Sequence, residues 1–404
     1  MKDVAIQKTG AEGLSRWKVI LFSIVLVAGV LVVLEGIASA YLRITRGYDG
    51  KHLYQYSFDS YKNILPAPNY VDTRGIRHNS QGFRRNEDVI RKKPAGTFRI
   101  FLVGGSTAYG LGGLWPHLFD DYPVIDNAET IDAFLERELG DAFPEVHVEV
   151  INAAVTSTWT HHSLIYINQT LLNYSPDMIL FLDGVNDFFF WRPTHDQFAD
   201  YSYSLPGRII MGPPTLKSLV YANGWWLFRK SALAHVVGRA LRIGKLLIKR
   251  QQRPPPMHVQ EQLAGMTKVF QANALRMHRR SALILGDEGV SAVMMMQPML
   301  ILERAKAKPP AEEKLFEFNV SSRGENYESY LHQAADTAAK YEELMAEQTG
   351  ATFIDLTHIF DQVPDQVFTD YAHLTPAGNR ILADSVADRI IPLIRQHMSA
   401  ESRH

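Results

Sequence analysis

The sequence predicts an α/β protein: a parallel five-stranded sheet with helices on both faces. One apolar helix precedes it and a basic helical insertion interrupts it. Three observations carry that expectation. Short apolar runs alternate with segments of helical spacing from Thr97 onward. A long uncharged stretch stands near the N-terminus. A sixty-residue segment, Tyr201 to Gln260, has ten Lys and Arg but no Asp or Glu.

Composition narrows the class. Of 404 residues, 46% are hydrophobic and 21% charged, which excludes a disordered or collagen-like chain. The formal net charge of −1 argues against a polycation that coats nucleic acid. Cysteine is absent, so disulfide scaffolds, thiolate metal sites, Cys nucleophiles and lipid-modified Cys are excluded.

The N-terminal element comes first. From Val19 to Leu34 the chain carries no charge, and after Glu35 the apolar character resumes through Leu42. As a helix, Trp17 to Leu42 would span ~39 Å, enough to cross a ~30 Å hydrocarbon core. Lys2, Lys8, Arg16 and Lys18 precede it, a bias toward an inside N-terminus. Residues 1–16 would then be a cytoplasmic tail and 17–42 an anchor. Two other readings stand beside this one. Ala38-Ser39-Ala40 fits a small-x-small cleavage site, which would secrete the rest, and a buried core helix passes the same hydropathy test.

Residues 43–95 read as an irregular, polar lead-in with interleaved aromatics. Strands are predicted at Phe98–Val103, Val146–Ile151, Met178–Leu182, Val290–Met296 and Thr352–Leu356. Helices are predicted at Ile131–Leu139, Leu164–Leu172, Gln262–Leu285, Glu328–Glu347 and Ala377–Met398. The main domain is placed at 96–398, with an insertion at about 190–258. Within it Leu233, Val236, Val237, Ala240, Leu241, Leu247 and Ile248 share one helical face. Arg239, Arg242, Lys245 and Lys249 share the other. Trp225, Trp226 and Phe228 lie just upstream. The basic region 225–250 fits an ordinary surface helix, an anionic membrane or glycan, or a protein partner.

In such sheets ligands bind at the carboxyl ends of strands, and three strand ends carry chemistry. Gly104-Gly105-Ser106-Thr107 exposes a hydroxyl after a tight turn, without the lysine of a nucleotide-binding loop. Gly184-Val185-Asn186-Asp187 offers an uncharged amide suited to a developing oxyanion. Asp370-Tyr371-Ala372-His373 places a carboxylate three residues before an imidazole. Thr375 and Pro376 come next as helix cap and first helical residue. Each could be a plain turn taken singly. Together they supply a nucleophile, an oxyanion donor and a base–acid pair.

At these residues the chain resembles the SGNH, or GDSL-type, hydrolase family. The lead-in Asn79-Ser80-Gln81-Gly82-Phe83-Arg84 and the run Lys93 to Ile100 are similar to membrane-linked bacterial members. The likeness spans roughly 60–187 and 260–395. It implies a three-layer sandwich on a five-stranded flavodoxin-like sheet. It implies Ser106 as nucleophile, His373 as general base and Asp370 as its orienting carboxylate. Ser106, Asn186 and the second block, Ile151 to Ser157, would form the oxyanion hole, with Ser157 standing where the family has Gly. Gly105, Gly184 and Asp187 would support the site.

Tyr109, Trp115 and Trp159 are candidate substrate contacts. His161-His162 reads as a surface or loop pair, and neither a cofactor nor a metal is called for. The implied activity is a serine esterase acting on an ester-bearing glycan, such as its O-acetyl groups, or on a lipid. It would work outside the cytoplasm on a bacterial inner membrane. An O-acyltransferase shares the same intermediate, and a non-catalytic glycan-binding protein would share the fold.

Overall fold

The computed structural model describes residues 15–46, 56–59, 63–71, 75–113, 125–156, 158–184, 186–187, 231–249 and 258–401. Helix α1 runs from Arg16 to Arg46, about 46 Å at 1.5 Å per residue. It is long and apolar enough to cross a membrane or to act as a signal sequence. A small antiparallel hairpin, β1 (Tyr56–Asp59) and β2 (Asn63–Pro66), lies in the lead-in that was expected to be irregular.

The main sheet comprises β3 (Thr97–Gly104), β4 (His147–Asn152), β5 (Met178–Asp183), β6 (Ser291–Met296) and β7 (Thr352–Asp355). All its pairings are parallel and the spatial order is β4-β3-β5-β6-β7. The five apolar runs thus form one sheet, each within a residue or two of its expected bounds.

The period-2 alternation of β3 explains the layering. Phe98, Ile100 and Leu102 face one core with Ile131, Leu135 and Leu139 of α3 (Ile131–Ala142). Leu382, Val386, Ile390 and Ile394 of the C-terminal helix, Pro376–Glu401, join them. Phe101 and Val103 face the opposite core with Tyr166 and Ile167 of α4 (Thr160–Gln169) and with Ala282 and Leu285. Each such burial contributes about 1.5–3 kcal/mol. Phe83 and Val89 of the lead-in are buried in that second core.

The region expected to be an insertion includes α5, Ala232–Lys249; residues 190–230, with Trp225, Trp226 and Phe228, lie outside the described residues. The single helix expected at Gln262–Leu285 is α6 (Val259–Phe270) and α7 (Arg276–Asp287), joined through a wide π-type turn at Gln271–Leu275. Helix α8 (Pro310–Arg323) was not expected, because its apolar residues trace no single stripe. Pro310 in its first turn and Gly324 at its end are ordinary start and stop signals. Helix α9 (Tyr327–Thr349) precedes β7, and α10 (Pro376–Glu401) closes the fold.

Candidate active site

Strand β3 ends at the seam with β5. Gly104 there has φ +145°, and a Cβ would meet the Leu182 carbonyl oxygen at 2.3 Å. The chain then turns into the short helix α2, Ser106–Tyr109, with Ser106 at its first position. From the other side of the sheet, residues 368–374 fold back on themselves. The Thr369 N–H donates to the His373 carbonyl at 2.9 Å, and Phe368 pairs with Leu374. Thr375 caps α10 as its sequence suggested, its hydroxyl accepting from the Gly378 N–H at 3.1 Å.

These two segments, 267 positions apart in sequence, meet. Ser106 Oγ lies 2.7 Å from His373 Nε2, and His373 Nδ1 lies 2.7 Å from Asp370 Oδ2. Asp370 Oδ1 also accepts the backbone N–H groups of Ala372 (3.0 Å) and His373 (2.9 Å). Burial alone would push the Asp370 carboxyl up. The neighbouring imidazole and these hydrogen bonds outweigh it and hold the group below its usual range. An ionised Asp370 only accepts, so His373 carries its proton on Nδ1 and presents a lone pair on Nε2 to the Ser106 hydroxyl. Asp370 and His373 are 1% and 0% exposed, so bulk water does not compete for these bonds.

Asn186 completes the rim. Its Nδ2 donates to the Thr158 carbonyl at 2.8 Å, which orients the amide and leaves a second N–H to donate elsewhere. The preceding Gly105 is needed for this approach, because a Cβ there would lie 2.7 Å from Asn186 Nδ2. Ser157 and Trp115 lie outside the described residues. Trp159 is half-buried at the cap of α4, between Thr158 and Thr160. Tyr109 is a correction: it is fully buried and its hydroxyl meets His78 Nε2 at 2.7 Å, so it packs and does not face a substrate. His161 and His162 are also corrected, since both lie in the first turn of α4 and His162 is buried. Burial and the charges of Arg276 and Arg280 lower His161 to about 4.

Gly184 follows β5 with φ +116°, and Asp187, expected to support the site, belongs to a buried cluster whose other members, Asp183, His278 and Glu342, sequence reasoning missed. Asp187 accepts from Thr160 Oγ1 at 3.1 Å. His278 of α7 bonds Glu342 of α9 at 2.7 Å and lies 3.6 Å from Asp183. Burial and the Asp183 charge push Asp187 up to about 7. His278 is raised, because Glu342 and Asp183 outweigh its burial.

A second unanticipated contact runs across the site. Gln297, just past β6, donates from Nε2 to Thr107 Oγ1 (2.9 Å), and Thr107 donates to the Ala372 carbonyl (3.1 Å). Gln297 was findable: it is a polar residue at a strand's carboxyl end, like Ser106 and Asn186. Among the described residues, Glu303, His358 and Asp361 bring possible metal-ligand atoms within 4.8 Å of one another. Burial and the nearby Asp361 raise Glu303 to about 9.

No family model matches this chain, and no curated protein matches it. Solved structures do. A catalytic mutant of Axe2, an acetylxylan esterase from Geobacillus stearothermophilus, matches at 12% identity and a TM-score of 0.39, over 72% of this chain and 94% of that one. LAE5, an alpha/beta hydrolase from the metagenome of Lake Arreo, Spain, matches at 12% identity and a TM-score of 0.34, over 73% and 96%. The acetyl xylan esterase AlAXEase matches at 11% identity and a TM-score of 0.35, over 72% and 100%. Likeness at this level says nothing about substrate.

Proposed function

We propose that this chain is a serine hydrolase of the SGNH type that cleaves a carboxylic ester through an acyl-enzyme. The observation that carries this reading is the unbroken hydrogen-bond chain from Ser106 Oγ through His373 to Asp370. The strand order, flavodoxin-like when counted from β3, supports it by setting Ser106 and Asn186 on either side of the switch point.

His373 Nε2 takes the Ser106 proton as Oγ attacks the ester carbonyl carbon. The imidazolium that forms is stabilised by the Asp370 carboxylate. The tetrahedral oxyanion accepts from Asn186 Nδ2 and the Ser106 N–H, with Ser157 as the further backbone donor. His373 then returns the proton to the leaving alkoxide. Water, activated by the same nitrogen, releases the acid and restores Ser106.

The membrane anchor, a domain outside the cytoplasm and a glycan O-acetyl substrate belong to the same proposal. The charge bias ahead of α1 and the apolar length of α1 support the first two.

The test uses the purified full chain. A fluorophosphonate should label wild type and leave Ser106→Ala unlabelled. Hydrolysis of an acetyl ester should fall by orders of magnitude in Ser106→Ala and His373→Ala. Full activity in Ser106→Ala refutes the assignment. Adding an acetylated donor with a polysaccharide acceptor separates acetate release from acetyl transfer, and a phospholipid substrate reads lipid esterase activity.

A further inference from the structure

Between Lys18 and Arg43, Glu35 is the one charged residue. A carboxylate in a membrane-crossing helix is costly unless it finds hydrogen-bond donors. Here it finds three. Ser231 Oγ donates to Glu35 Oε2 at 2.6 Å, the Ala232 N–H to Oε1 at 2.5 Å, and the Leu233 N–H to Oε2 at 3.1 Å. These belong to the start of α5, where a helix leaves N–H groups unsatisfied and favours negative charge. One and two turns further along α1, Ala38 and Leu42 are buried with Ala232, Leu233 and Val236. Elsewhere along α1 the apolar side chains stand open, Val32 at 72% and Leu26 at 69% exposure.

Among the described side chains of α5, helix α1 covers Ala232, Leu233 and Val236. Further along, Val237 and Leu241 are exposed. The sequence puts Leu247 and Ile248 on that same face and Arg239, Arg242, Lys245 and Lys249 on the other.

We propose that Glu35 is a latch fixing α5 to the outer end of the membrane span, and that the remaining apolar face of α5 rests on the anionic headgroup surface of that same bilayer. The proposal rests on reading α1 as a membrane span. Two features select lipid over a protein partner. The exposed face is continuous with the contact to α1, whose own open apolar surface needs hydrocarbon around it. The surrounding sixty residues carry only positive charge, which suits anionic headgroups. The latch also bears on processing. Cleavage after Ala40 would remove Glu35 and Ala38 and leave the Ala232 and Leu233 N–H groups without this acceptor, while Ser231 Oγ would still accept from the Ala234 N–H.

The chain has no cysteine, so Leu241→Cys accepts a single environment-sensitive fluorophore. The full chain is reconstituted in phosphatidylcholine vesicles with and without phosphatidylglycerol. Flotation after an alkaline carbonate wash reads the span separately from the label. The expected result is blue-shifted emission, quenched by a lipid-borne quencher, when phosphatidylglycerol is present. Glu35→Leu should lose the shift while the chain still floats with the vesicles. Glu35→Gln, which keeps an acceptor oxygen, should retain part of it. Emission that stays aqueous in floating wild-type chain overturns the proposal, as does a shift that Glu35→Leu leaves unchanged. An equal shift without phosphatidylglycerol overturns the anionic surface as partner. A chain stripped off by carbonate overturns the span and the latch together, leaving the Ser106 reading intact.

Discussion

The amide of Asn186 lies so close to the Cα of Gly105 that an added Cβ would come within 2.7 Å of Nδ2. The amide is also tied to the Thr158 carbonyl, so it cannot yield without losing that bond. Gly105→Ala is therefore expected to displace the proposed oxyanion donor and to lower kcat by about 10²–10³-fold, as Asn186→Ala should. The midpoint of urea unfolding should barely move, because the displaced group is a side-chain end at the rim. Ester hydrolysis and unfolding measured on the same preparation check both halves.

Thr107 and Gln297 are expected to act as positioning residues. The Thr107 hydroxyl joins Gln297 to the Ala372 carbonyl, one residue before His373. Thr107→Val leaves the buried Gln297 amide and the carbonyl without this partner. It should lower kcat by roughly 10-fold or more with KM unchanged, since misplacement of a catalytic group acts on the reacting geometry. Thr107→Ser should restore most of the rate. A purely structural role would instead lower both variants' unfolding midpoints without splitting kcat from KM.

The turn that presents Asp370 is anchored by a buried ion pair. Lys306 Nζ donates to the carbonyls of Val363 (2.5 Å) and Asp365 (2.8 Å) and lies 3.3 Å from Glu312 Oε2. Glu312 Oε1 accepts the N–H groups of Val367 (2.7 Å) and Phe368 (2.8 Å). Lys306→Met would strand the Glu312 carboxylate in the interior and is expected to cost about 3–5 kcal/mol in urea unfolding. Disrupting the exposed pair Arg304–Asp336 should change stability by less than about 1 kcal/mol.

Asp132, in the first turn of α3, is buried and pushed up to about 6. Hydrogen bonds from Asn152 and Thr130 and the charge of Arg84 only partly offset the burial. A raised carboxyl contributes stability that is fully present below its ordinary pKa and is lost as pH rises toward 6. Wild type should therefore lose on the order of 2–3 kcal/mol from this group between about pH 4 and 6. Asp132→Asn should flatten that part of the stability–pH curve and be the more stable chain at pH 7. An unchanged slope between the two would refute this assignment.

Local chemistry made much of the molecule legible in the sequence. Apolar runs and their period located all five main strands: the central β3 and β5 are buried along their whole length and read as near-continuous apolar runs, while the edge strand β4 alternates. Thr375 and Pro376 announced the start of α10 through capping chemistry alone. Gly104-Gly105-Ser106 and Asn186 could be singled out because the carboxyl end of a buried strand delivers the next few residues to the sheet's rim, whereas Asp370 to His373 stand fifteen or more positions past the end of β7 and were legible from their spacing ahead of the Thr375 cap. Three properties were decided only by tertiary structure. The 2.7 Å contact between Ser106 and His373 depends on sheet order, which no local pattern encodes. The burial of Tyr109 depends on His78, from a segment that read as irregular. The partner of Glu35 lies 196 positions away at Ser231, and a carboxylate within an apolar run gives no sign of which distant helix end will neutralise it. Side-chain type fixes what a residue can donate or accept. Only the packed chain fixes which group stands opposite, because that pairing is set by the burial of many distant side chains at once.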